Sequence, residues 1–74
     1  MSTERAQARL HRALSIQYEA LGLARTRTAE AADAAGRFDG LIEQQLLNMY
    51  HALLSQLEAV DELLAELQNP AQGD

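Results

Sequence analysis

The residues whose types could do chemistry are few: His11 and His51, the helix-borne hydroxyls Ser15 and Ser55, and the close pair Arg25 and Arg27. A metal site on a helix needs ligands three or four positions apart on one face. Around His11 those positions hold Gln7, Ala8, Leu14 and Ser15; around His51 they hold Leu47, Asn48, Leu54 and Ser55. Asn48 occupies the place where a Glu-x-x-His di-iron motif would put its carboxylate. His51 is therefore expected at the surface or the rim of an interface. There is no cysteine, so no thiol nucleophile. Neither serine has a glycine-rich elbow or a positioned base to activate it, and no P-loop or G-x-G-x-x-G turn exists to cradle a phosphate. Arg25 and Arg27 could grip an anion, but Glu30 stands three residues from Arg27, and a surface ion pair is the simpler fate. The expectation is a chain with no catalytic residue, no cofactor and no metal.

The elements available to position any of these groups are helices. Ala and Leu supply 27 of the 74 residues, against four Gly and one Pro. Breaks occur only at AGRFDG (35–40) and NPAQGD (69–74). Helix 1 is expected over about 3–35, a corner over 36–39, helix 2 over about 39–68 and a disordered tail over 69–74. Ser2 or Thr3 is a candidate cap for helix 1, Gly36 a candidate left-handed terminator, and Asp39 a candidate cap for helix 2. Arg37 follows Asp33 by four, in the favourable acid-first order. Asn69 and Pro70 are the stop for helix 2. So short a corner makes the helices antiparallel neighbours, which sets the fold class as all-α: one helical-hairpin domain.

Helix 2 carries the sharper pattern. Leu46, Tyr50, Leu53, Leu57, Val60, Leu64 and Leu67 advance by alternating steps of four and three, the stripe of a coiled-coil-like seam. Ile42, Met49 and Leu63 flank it on one side, Leu47 and Leu54 on the other. Helix 1 offers Leu10, Leu14, Tyr18 and Leu21 in its first half and small groups (Ala24, Thr28, Ala31, Ala32, Ala35) in its second. Folded back at the corner, these small groups are expected opposite Leu46, Met49, Tyr50 and Leu53, and Gly22 opposite Ser55, where the helices would approach closely.

Charge favours the same orientation. Residues 1–37 hold six Arg and four acids, net +2; residues 38–74 hold seven acids and no base, net −7. At the open end, Arg5, Arg9 and Arg12 come level with Glu62 and Glu66. The overall charge of −5 argues against nucleic-acid binding. No apolar run approaches the ~18 residues of a membrane span, MSTERAQARL lacks the apolar stretch of a signal peptide, and helix 2 is acidic where a membrane-surface helix would be basic. The absence of Lys beside abundant Ala, Leu and Arg suits a GC-rich bacterial gene, and the location expected is the cytoplasm.

One hairpin makes a single line of contact, and chains below ~70–80 residues seldom gain more than ~3–5 kcal/mol from one core. Association is therefore expected, most simply a homodimer whose hairpins form an antiparallel four-helix bundle, with an unidentified protein as the other possible occupant. The interface residues expected are Leu23, Ile42, Leu47, Met49, Tyr50 and Leu54. Tyr50 fits an interface with its ring and a rim with its hydroxyl. A possible acidic contact strip is Glu58, Asp61, Glu62 and Glu66. The functional expectation is a dimeric adaptor or regulator without enzymatic activity. In its length, its two helices and its short corner the layout is similar to the small helical-hairpin co-chaperones of type III secretion needles, a resemblance that implies a hairpin covering an apolar face of a helical-repeat partner. A third reading is a small acidic, antitoxin-like inhibitor that occludes a basic site.

Overall fold

A computed structural model describes residues 2–68, with side chains from Thr3 onward. The chain forms two α-helices, α1 (Ser2–Ala35) and α2 (Gly40–Gln68), that pack along one another as an antiparallel hairpin. Because α1 already includes Ser2, Thr3 lies inside the helix and is not its cap. The side chain of Ser2, the other expected cap, is not among those described, and the Asn69–Pro70 stop and the tail over 69–74 fall outside the described residues.

The corner is built by backbone bonds and one carboxylate. As α1 ends, the amides of Gly36 and Asp39 donate to the carbonyls of Ala32 and Ala35 at 3.0 and 2.8 Å. Those of Arg37 and Phe38 donate three residues back, to Ala34 and Ala35, at 3.2 and 3.0 Å. This tighter spacing satisfies the last carbonyls without a left-handed residue. No residue of the described chain has positive φ, which corrects the expectation that Gly36 closes the helix in the left-handed region. Gly36 has a different reason to be small: a Cβ there would lie 2.8 Å from the Glu43 Oε2, so glycine leaves room for that carboxylate at the turn. Asp39 caps α2 as its sequence position indicated. Its Oδ1 accepts the amides of Leu41 and Ile42 at 3.0 and 3.3 Å, and its carbonyl accepts the Glu43 amide at 3.1 Å. Arg37 reaches back to Asp33 at 3.7 Å.

The buried apolar residues are Leu14, Ala32 and Ala35 on α1, and Leu57 and Val60 on α2. Leu46, Tyr50, Leu53, Leu64 and Leu67 are half-buried, so the α2 stripe does form the seam. The matching stripe on α1 runs Leu14, Tyr18, Leu21, Arg25, Thr28, Ala32 and Ala35, with the same alternation of four and three. Along it Leu14, Ala32 and Ala35 are buried, Leu21, Arg25 and Thr28 half-buried, and Tyr18 exposed. Arg25 is thus half-buried at a seam position, a placement its pairing with Arg27 did not indicate. Ala31 and Met49 are exposed, which removes them from the expected contact between the alanines and α2.

The hairpin measures 56 × 20 × 11 Å, two helices wide and one helix thick. Its radius of gyration is 16.8 Å, against about 11 Å for a compact chain of this length. No described side chain is fully buried. The layer has a seam but no interior.

Gly22 does not mark a close approach. A Cβ built on it meets nothing within 4 Å, so the expectation of small-against-small packing there is overturned. Thr26 Oγ1 donates to the Gly22 carbonyl at 3.2 Å, a local bond within α1. Gly22→Ala therefore removes a flexible residue from the helix without creating a clash. It is expected to raise stability by about 0.5–1 kcal/mol in a urea titration followed by circular dichroism; a loss of stability would show that α1 is bent or covered at that level.

Candidate functional site

The flat hairpin presents two broad faces, and they differ in kind. On one, three open grooves of about 570, 240 and 220 Å³ run between the helices. The largest is lined by Arg25, Thr26, Ala29, Glu30, Asp33 and Tyr50. The next is closed by Glu43 and Leu47 with Ala29, Ala32, Asp33 and Tyr50. Nearer the open end, Tyr18 and Arg25 share a groove with Leu54, Leu57, Glu58 and Asp61. Position 18 thus stands beside 61, 25 beside 54 and 29 beside 50, close to the antiparallel register expected from the corner. Acidic residues line all three grooves, and Arg25 lines two of them.

The opposite face is almost uncharged. At about 100° per residue, Ile42, Gln45, Met49, Ala52, Gln56 and Leu63 project to the side of α2 away from the grooves. On α1 the corresponding positions are Ala13, Gln17, Ala20, Ala24 and Ala31, with Ile16 and Leu23 at the outer edge. Arg9 and Arg27, five full turns apart and so at the same angle, are the charged residues of this α1 surface; Arg27 sits 3.4 Å from Glu30 in an exposed ion pair. Ile42, Met49 and Leu23 are 41, 54 and 59% exposed.

The six expected interface residues therefore divide. Leu47, Tyr50 and Leu54 come together, half-buried, on the grooved face. Ile42 and Met49 lie on the neutral face and Leu23 at its margin. Further exposed apolar groups, Leu10, Ile16, Phe38, Leu41 and Leu63, were not among the interface residues expected from sequence. Ile16 and Leu23 are seven apart, as are Ile42 and Met49, and that heptad spacing was the available signal.

The acidic strip is also divided. Glu58 and Asp61 line the same groove, while Glu62 and Glu66 project farther round the helix, a spread of about 140° in all. All four are exposed. Among the described residues no ion pair crosses between the helices; the pairs formed are Arg27–Glu30 and Arg37–Asp33. Opposite charge at the open end thus acts at a distance and not through contact.

His11 and His51 are both exposed. His51 packs edge-to-face against its neighbour Tyr50, with ring centroids 5.8 Å apart and an interplanar angle of 79°. Among the described residues no three His, Cys, Asp or Glu side chains gather in a metal-binding group, and no helix is long and apolar enough to cross a membrane. No protein-family model, no curated protein and no solved structure matches this chain.

The exposed position of His51 makes a definite expectation. His51→Ala trades one edge-to-face contact for a better helix former and is expected to change unfolding free energy by no more than about 0.5 kcal/mol. A loss of several kcal/mol in a denaturant melt would show that another chain covers His51.

Proposed function

We propose that this chain is a non-enzymatic interaction protein of the cytoplasm: a helical hairpin that dimerises and acts as an adaptor or regulator by presenting its helix faces to other polypeptides. The observation that carries this reading is the mismatch between what the hairpin hides and what it displays. Among the described residues five apolar side chains are buried, two of them alanines, while nine large apolar or aromatic ones are exposed. Burying a Leu or Val contributes ~1.5–3 kcal/mol, so Leu14, Leu57 and Val60 supply little against the conformational entropy of ordering two long helices. Covering the remaining apolar surface is the available source of further stability.

The grooves are open and mostly acidic in their charged lining, with Arg25 as the one base, and the side chains lining them include no nucleophile held beside a base. That composition suits surface recognition better than catalysis. The inhibitor reading has less support, since the acids it would use do not share one face.

The test is mass and melting together. Sedimentation equilibrium is expected to give twice the 8.1 kDa chain mass. The thermal midpoint is expected to rise with protein concentration, because association stabilises the folded state by mass action. A cooperative melt at constant midpoint over a hundredfold concentration range, with a monomeric mass, would overturn the proposal.

A further inference from the structure

We propose that the neutral face is the self-association surface and that a second copy covers it with α1 of one chain lying over α2 of the other, corners at the same end. The inference rests on the interaction reading above and adds the face, the occupant and the symmetry. Three observations carry it.

The first is charge. Docking the grooved face on another copy would bring Arg25, Asp33, Glu43, Glu58 and Asp61 out of water without assigned partners, a large penalty. From Ile42 to Leu63 the neutral face of α2 contributes no charged residue.

The second is shape. The two halves of this face are unlike: α2 presents Ile42, Met49 and Leu63 among Gln45, Ala52 and Gln56, and α1 presents mostly alanines, Ala13, Ala20, Ala24 and Ala31, interrupted by Gln17 and Arg27. A two-fold axis along the hairpin sets the large row of each copy on the small row of the other, which fills space evenly. A two-fold axis across the hairpin would put large on large and small on small. It would also stack the two acidic helices, whereas the lengthwise axis alternates basic α1 with acidic α2 around a four-helix bundle. Arg9, at the same angle as Arg27, lies on this face of α1, level with the Glu66 region of the α2 that would cover it.

The third is size. A face of 56 × 20 Å exceeds the ~800 Å² that each partner buries in a standard interface.

The full-length chain is tested in two ways, beginning with its sedimentation. Met49→Asp acts on a half-exposed side chain and leaves the hairpin seam intact. It is expected to weaken the dimer by about a hundredfold or more, whereas Leu54→Asp on the grooved face leaves the dimer in place. The absence of native cysteine permits a geometric test that needs no disruptive change. An equimolar mixture of the single variants Ala24→Cys and Gln56→Cys, oxidised and resolved by mass, is expected to give mainly the mixed disulfide. Two results would overturn the proposed face or symmetry while leaving self-association standing. One is a product made mainly of like-with-like disulfides, each variant joined to a second copy of itself. The other is a dimer that survives Met49→Asp and is lost with Leu54→Asp. A wild-type chain that is monomeric throughout would overturn both the face and self-association.

Discussion

Two helices side by side share one line of contact, and every other property of this hairpin follows from that limit. A helix in a bundle can bury a stripe of about 100° or more, and it needs neighbours on two sides to do so. Here α2 is apolar across its seam and onto both flanks, while α1 can cover only the seam. The particle is 11 Å in its thinnest dimension, so nothing lies above or below the contact line. Domains ordinarily enclose a core between two layers; this hairpin is a single layer.

The corner decides how that layer is presented. Asp39 fixes the start of α2 by accepting two amides on one oxygen, and the tight bonds from Arg37 and Phe38 to the end of α1 bring the chain round within a few residues. Once the helices are antiparallel at this register, the side of each helix is no longer free to vary. Tyr18, Arg25, Ala29 and Asp33 must line the same face as Leu47, Leu54 and Asp61, and the alanines of α1 must share the other with Ile42 and Met49. The contrast between a charged, grooved face and a neutral, flat one is thus a product of register acting on two separate amphipathic patterns.

Much of the fold was legible in the sequence because its signals are local. The helix boundaries, the Asp39 cap, the Arg37–Asp33 pair and the four-three stripe on α2 each depend on residues within a few positions of one another. Gly36 and Gly22 were misread because glycine has two uses. One is torsional and the other steric, and only the surroundings distinguish them: the Glu43 carboxylate lies against Gly36, and Gly22 has open space around it. Arg25 does not stand out as a seam residue in the sequence because apolar periodicity skips a charged side chain, although it is half-buried there. The expected interface was assembled from α2 almost alone. Without knowing which side of α1 joins which side of α2, Leu47 and Leu54 could not be separated from Ile42 and Met49, although they lie on opposite faces.

The central claim is that this single layer is half of a structure. Small-angle X-ray scattering on the folded protein measures the thickness of the particle directly. The account predicts two layers of helix, with a smallest dimension of roughly 20 Å and a scattering mass of two chains. A helical particle that keeps the 56 × 20 × 11 Å dimensions of one hairpin, with a radius of gyration near 16.8 Å at every concentration, would contradict it.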